Sequence, residues 1–342
     1  MMARSKSVQD ATRLHLLSLL PKLRTQRVLL VGDLVADHYI FGNTSRISRE
    51  APVLILKYQQ ESIIPGQAGN TAANIAALGA IVAPLGVIGK DARGKELKAA
   101  LRSRRVNTAE ILELPGLATL TKTRILAGGH HAARQQVIRI DDDERLNFVT
   151  SVVEPQIIAA MRRLAASADV IVVSDYGYGI VSDAVWNAAV TMKSRHKIPL
   201  VLDSRYKLTS RKGATLITPN EGEAVACCRL SVDDDYRIGD VGRKLLKLTG
   251  AENVLITRGN EGMVLFPRGS KPVVIPIHGS DECTDVTGAG DTVVATIAVA
   301  LAAGATPEAA ARLANIAGGI VVMKIGTATV TVAELTYALS AN

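Results

Sequence analysis

Short, unbroken apolar runs recur along this chain, and most are followed by a stretch with helical periodicity. Val28-Leu29-Leu30-Val31 is the first, ended by Gly32-Asp33. Further strand candidates lie at 81–87, 169–173, 200–202, 215–218, 254–257 and 264–266. Helical patterns intervene at 68–78, 154–166, 183–194, 221–228 and 236–248. Another opens the chain at 7–20, with Ser7 as N-cap, and two Ala-rich ones close it at 292–303 and 307–323. A strand buried on both faces reads as continuously apolar, so this alternation implies a mostly parallel sheet with helices on both sides.

Two stretches break the rhythm. At about 39–64, Tyr39, Phe41, Val53, Ile55 and Tyr58 sit in short segments split by polar and turn residues. At about 117–140, Thr119, Thr121, Thr123 and Ile125 alternate at strand period. The expectation is one α/β domain over 1–342, carrying a small β excursion built from these two stretches.

Charge and composition exclude several classes. The net charge is +8, and six basic residues precede Val28 against the single acid Asp10. Aromatics make up only 3%, and no dense Lys/Arg stripe follows the leader, so nucleic-acid binding is not expected. Attraction for anionic metabolites suits the surplus as well. No apolar run reaches the about 18 residues of a membrane span. The segment after Arg4 and Lys6 is broken by Asp10, Arg13 and His15, unlike a signal peptide. Cys227, Cys228 and Cys283 are odd in number and two are adjacent, which gives no disulfide framework. A cytoplasmic protein with no membrane partner is expected.

In parallel sheets ligands bind at the carboxyl ends of the strands. Asp33, Asp175, Asp203, Asn220 and Thr257 all fall at such ends, and together they suggest a polar-ligand site. The sharpest motif is Thr284-Asp285-Val286-Thr287-Gly288-Ala289-Gly290-Asp291, set just before an apolar helix. Its glycines let the backbone approach a ligand, and the free amides of a helix start would cradle phosphate oxygens. Asp291 is placed to take a proton from an attacking hydroxyl. With an ordinary carboxyl pKa of about 3.9 it would be ionised at neutral pH. The plainer reading is a Gly-rich turn with Asp291 as N-cap.

The octet resembles the C-terminal signature of the ribokinase-like (PfkB-type) sugar kinases. Pro65-Gly66-Gln67-Ala68-Gly69-Asn70-Thr71-Ala72-Ala73-Asn74 matches that family's first signature, a Gly-rich stretch opening a helix. The resemblance implies a three-layer α/β/α ribokinase-like fold with a β-sheet lid, and transfer of a phosphoryl group from ATP to a sugar hydroxyl. By the same resemblance Asp37, Gly66 and Asn70 contact the sugar. Asp291 is then the catalytic base, and Gly288, Ala289 and Gly290 form the anion hole. Asn220-Glu221-Gly222-Glu223 matches an Asn-x-x-Glu whose Glu holds Mg²⁺ through water, although the same spacing is also a helix capping box. Thr257, Gly259 and Gly262 read as a hairpin turn by spacing, and by resemblance they contact the nucleotide, with Asn315 beside the adenine. Asp285 and Thr287 match ligands of a monovalent cation, K⁺, in some members.

Residues 44–53 and 314–330, with Thr121-Lys122-Thr123-Arg124 and Ser174-Asp175-Tyr176, are similar to one subgroup. This is the D-glycero-β-D-manno-heptose 7-phosphate kinases, the kinase half of bifunctional ADP-heptose synthases. That likeness implies phosphorylation of the anomeric hydroxyl, and Lys122 and Arg124 become candidates for the substrate's 7-phosphate. The alternative for both is a solvated strand edge. Some positions depart from the subgroup: Gln67 within the first signature, Tyr178 in place of Lys, Ser204-Arg205 in place of Pro-Lys, and the stretch 128–131. No His-x-Gly-His nucleotidyltransferase motif is present, so adenylylation is expected of another protein. Other readings are a kinase for a different sugar or nucleoside, and a non-catalytic sensor on this fold. A dinucleotide oxidoreductase is disfavoured, because no Gly-x-Gly-x-x-Gly follows the first strand. The lid edge, with Tyr39, Phe41 and Ile55, implies a homodimer.

Overall fold

The computed structural model describes residues 2–128, 134–143, 147–230, 236–279 and 283–341. Helix α1 (Met2–Leu23) leads into β1 (Arg27–Gly32), and two long strands follow, β2 (Leu34–Ile47) and β3 (Leu54–Gln67). Next come α2 (Ala68–Ala77), β4 (Ile81–Leu85), β5 (Val87–Gly89), α3 (Ala92–Ser103) and β6 (Leu112–Leu114). A second hairpin, β7 (Thr121–Gly128) and β8 (Gln135–Asp142), precedes α4 (Asn147–Ala165) and β9 (Val170–Asp175). The chain continues through α5 (Asp183–His196), β10 (Leu200–Ser204), β11 (Leu216–Ile217), α6 (Glu221–Cys227) and α7 (Ile238–Thr249). It ends with β12 (Asn253–Thr257), β13 (Met263–Pro267), β14 (Val273–Ile275), α8 (Ala289–Ala302), α9 (Pro307–Val321) and α10 (Val332–Ser340).

Eight strands form the central sheet in the order β14-β13-β12-β11-β10-β9-β1-β4. From β12 to β4 every pairing is parallel, and β13 and β14 add on antiparallel. Successive strand residues point to opposite faces. Val28 and Leu30 of β1 therefore join a core with α1, α2, α8, α9 and α10, whereas Leu29 and Val31 join one with α4, α5 and α7. These are the three layers expected. A separate sheet, β3-β2-β7-β8, forms the lid, with β2 and β7 parallel at its centre. No helix among the described residues is long and apolar enough to cross a membrane.

The differences from the sequence reading have local causes. The lid starts at Leu34, directly after β1, because Leu34, Val35 and Ala36 are buried at its base. Helix α1 begins at Met2, so Ser7 lies inside it rather than capping it. Helix α3 escaped the reading because only Gly94, Leu97 and Leu101 of its residues are buried, too few for a clear apolar stripe. Helix α10 carried a legible start, the Thr331/Glu334 capping box. Helix α8 starts at Ala289, three residues earlier than expected, which brings Asp291 into its first turn. Gly129, His130 and His131 lie outside the described residues.

Candidate active site

The entrance of α8 is built around two glycines with different demands. Gly288 is the N-cap, with φ at 79°, a region open chiefly to glycine. A Cβ there would lie 2.6 Å from Asn70 Nδ2 and 2.9 Å from Thr327 Cγ2. A Cβ on Gly290 would meet nothing within 4 Å, so its backbone borders open space. Of the amides at this start, that of Ala289 donates back to the Val286 carbonyl at 3.2 Å and that of Thr292 to the Gly288 carbonyl at 3.1 Å. That of Gly290 has no acceptor within the helix, and the positive end of the helix dipole lies behind them.

Asp291 follows at once and is buried. Its Oδ2 accepts from Asn70 Nδ2 at 2.8 Å. Its Oδ1 accepts from the Thr71 hydroxyl at 3.1 Å and from the Tyr176 hydroxyl at 3.0 Å. Two donors come from the first turn of α2 and the third from the loop after β9, so the carboxylate is clamped from two sides. Burial pushes its pKa up to about 6, and the bonds from Asn70, Tyr176 and Thr71 limit the rise. The ordinary pKa expected for Asp291 is thus corrected upward. It is still mostly ionised at pH 7.

Tyr176 was legible only as part of a matching stretch, with no role attached. Its hydroxyl also lies 3.4 Å from Asp203 Oδ2, and so stands between two carboxylates. Burial, and then the charges of Asp291 and Glu223, push Asp203 well above the usual carboxylate range. Glu223 is raised by burial as well. The five polar strand ends do not all face this space. Asp33 is fully buried and accepts from the backbone N–H groups of Tyr176, Tyr178 and Ile180, which fixes the loop that presents Tyr176. Asp175 accepts from Gly177 N and the Ser204 hydroxyl. These two are scaffold, and the ligand-site expectation for them is corrected.

On the lid side, Asp37 of β2 is buried, and its Oδ1 accepts from Arg124 Nη1 at 2.5 Å. A Cβ on Gly66 would lie 2.6 Å from Asp37 Oδ2, so glycine there makes room for this carboxylate. Arg124 also lies over the Tyr39 ring, 5.4 Å from its centroid. Its charge is committed to Asp37. Lys122, in register with Asp37 across the β2–β7 pair, is 8% exposed. Its ammonium sits 5.5 Å from the Tyr178 ring centroid, and burial lowers its pKa. Tyr178, the residue that replaces the subgroup's Lys, donates its hydroxyl to Asp143 at 3.1 Å.

On the other side of the α8 entrance, a largely apolar cavity of about 200 Å³ opens between the β12–β13 turn and helices α8 and α9. Thr257, Gly259, Gly262, Gly290 and Asn315 are among its lining. Gly262, at φ 79°, is required there, because a Cβ would lie 2.2 Å from the Ile275 carbonyl oxygen. Asn315 donates to the Pro276 carbonyl at 2.8 Å. Asn220 is beside the cavity rather than in its lining: it bridges to Thr257 and forms a complete capping box with Glu223. That box uses Glu223 Oε2, which accepts from Asn220 N at 3.0 Å. Both oxygens of Asp285 are taken by backbone amides, those of Thr287 at 2.9 Å and Gly326 at 3.0 Å. Burial raises its pKa, but these bonds outweigh that and leave it lowered. Among the described residues, no group of three or more His, Cys, Asp or Glu is arranged to hold a metal directly.

The site therefore offers a basic carboxylate at a glycine-lined helix start, an apolar slot on one side and a charged lid on the other. Residues 25–333 match the model of the pfkB family of carbohydrate kinases. The chain belongs to that family. It is 40% identical over 324 residues to the bifunctional protein HldE of Trichlorobacter lovleyi, covering 94% of this chain and 65% of the relative. With the HldE of Caulobacter vibrioides the identity is 39%, over 92% of this chain and 63% of the relative. The chain thus spans a little under two thirds of the length of these relatives. Among solved structures, Arabidopsis thaliana ribokinase complexed with ribose and ATP superposes with a TM-score of 0.70 at 20% identity, covering 92% and 99% of the two chains. Escherichia coli phosphofructokinase-2 in complex with potassium gives 0.73 at 16%, covering 93% and 99%. These two likenesses establish the ribokinase-like fold.

Proposed function

We propose that the protein transfers the γ-phosphoryl group of ATP to a sugar hydroxyl, with Asp291 as the base. The clamped, ionised Asp291 beside the Gly288–Gly290 amides carries this reading. The acceptor hydroxyl lies against Asp291 and gives up its proton to it. The amides of Gly288 and Gly290 stabilise the charge on the group in flight, and that of Ala289 is shared between it and the Val286 carbonyl. Gly290, whose face is open, leaves room for that group. The slot lined by Thr257, Gly259, Gly262 and Asn315 takes the adenine, with Asn220 at its rim. Asp37 and Asn70 orient the sugar, and the lid keeps water from competing as acceptor.

The crowding of raised carboxyls at Asp203, Glu223 and Asp291 fits a nearby divalent cation. Mg²⁺ would be held through water by Glu223 and by the ATP phosphates, and would neutralise charge on them. Asp285 and Thr287 would flank a monovalent ion such as K⁺.

The substrate proposed is D-glycero-β-D-manno-heptose 7-phosphate, phosphorylated at its anomeric hydroxyl. Its support is the subgroup resemblance, the likeness to the HldE proteins and the state of Lys122, a buried cation with no carboxylate within 4 Å among the described residues. Arg124 then serves to hold Asp37 rather than the phosphate. ADP release from Mg-ATP, measured over a panel of sugars and sugar phosphates, tests this. Turnover on another sugar alone would assign the changes at Gln67, Tyr178 and Arg205 to a different pocket. Silence across the panel would favour a sensor. A homodimer through the lid, in the cytoplasm, completes the reading.

A further inference from the structure

The basic leader has no part in the site above, yet the turn after α1 delivers one of its charges to a second cavity. This cavity, of about 610 Å³, lies at the far end of α2 and is lined by Arg24, Arg104 and Arg105 with Gly79, Thr329 and Thr331. Among the described residues, none of the three guanidiniums is within 4 Å of a carboxylate. Arg104, the C-cap of α3, is partly buried, and among the described residues its guanidinium makes one hydrogen bond, to the Ala100 carbonyl of that helix. Three like charges gathered in a concavity repel one another and favour a ligand of opposite sign.

The surroundings are shaped for this arrangement. Gly79 has φ at 84°, and a Cβ there would lie 2.9 Å from Arg24 Cγ, so glycine lets Arg24 cross the end of α2. Arg105 holds a left-handed backbone, φ 62°, which costs a non-glycine residue energy. Val332 and Ala333 open α10 on the same wall, and the first amides of a helix lack intrahelical acceptors. Glu334, the nearest acid in that turn, is occupied by Lys324 and by the Thr331 cap. The carbonyl ends of α2 and α3 attract some of this positive charge. The Ala100 carbonyl of α3 satisfies one edge of Arg104, and all three guanidiniums remain without an anion among the described residues.

We propose that this cavity is a binding site for a phosphate dianion or phosphomonoester, separate from the catalytic cleft. Guanidinium matches phosphate in geometry as well as charge. The cavity volume is that of a small-metabolite site rather than of a lone ion. The inference does not depend on which sugar the catalytic site accepts.

Calorimetric titration of the full chain with inorganic phosphate, under saturating Mg-ADP, tests it. Glucose 6-phosphate and AMP serve as further probes in parallel. Arg24→Gln and Arg104→Gln should each weaken phosphate binding about tenfold, the scale of losing one charge-assisted hydrogen bond. Arg105→Gly removes a charge while relieving the left-handed strain, so a loss of binding in that variant is not a folding defect. Affinity for Mg-ATP should be unchanged in all three. Tighter binding of either organic phosphate, lost in the same variants, would identify the body of the ligand. No phosphate binding, or binding indifferent to all three substitutions, overturns the proposal.

Discussion

In the proposed mechanism Asp291 must be ionised to act, and it is buried where ionisation is costly; both points are measurable. With its pKa raised to about 6, kcat/KM should fall as pH drops through that value. Tyr176 lowers the pKa by its hydrogen bond. Tyr176→Phe should therefore move the acid limb to higher pH, a shift that loss of packing alone would not produce. Asp291→Asn should cut turnover by roughly 10²–10⁴-fold, the usual range for a general acid–base group, and keep ATP binding. The same variant reads on stability. A raised folded pKa favours the protonated form, so stability from this group is present at low pH and is lost between about 3.8 and 6. The amide can keep every partner, with its oxygen toward Asn70 and its nitrogen donating to the Tyr176 and Thr71 oxygens. Thermal melts should accordingly show Asp291→Asn above the wild type at pH 8, by roughly 1–3 kcal/mol, with the gap closing toward pH 4. The glycine octet made Asp291 legible in the sequence. Its pKa was not, because burial and the donors Thr71 and Tyr176 arrive from other elements.

At the scale of elements, the site is a meeting of helix α8, helix α2 and lid strands β2 and β7. The two Gly-rich signatures announced both helix starts, and the structure brings them together through the Asn70–Asp291 and Thr71–Asp291 bonds. Their chain order could not show that pairing. Charge assignment within the lid was equally hidden. Lys122 and Arg124 are equivalent by strand period, but only the fold gives Asp37 to one of them. Lys122→Ala should raise KM for a phosphorylated sugar about tenfold or more, the cost of one charge-assisted contact, while KM for ATP holds. Equal losses for phosphorylated and unphosphorylated sugars, in steady-state kinetics, would refute that role. The capping box at Asn220 shows how one pattern can serve two ends. It starts α6 through Glu223 Oε2, and Glu223 Oε1 takes no part in the box.

For the whole molecule, alternating apolar runs and helices were enough to anticipate the parallel sheet and its two covered faces. The lid was harder, since its strands face solvent on one side and carry mixed sequences. Tyr39, expected on an open edge, is buried against Arg124, and Phe41 and Ile55 are only partly exposed. The apolar surface lies instead at Leu54, Tyr58, Ile138 and Ile140. Grouped apolar side chains on a small sheet are a surface to be covered. Tyr58→Asp with Ile138→Asp should turn a lid-paired dimer into monomers in sedimentation velocity, and an unchanged distribution would remove the lid from assembly. The most direct test of the whole account is ADP release from Mg-ATP with D-glycero-β-D-manno-heptose 7-phosphate, by wild type and Asp291→Asn side by side. Saturable turnover in the wild type, reduced at least 10²-fold in the variant, is the result predicted. Comparable turnover in both proteins would contradict it.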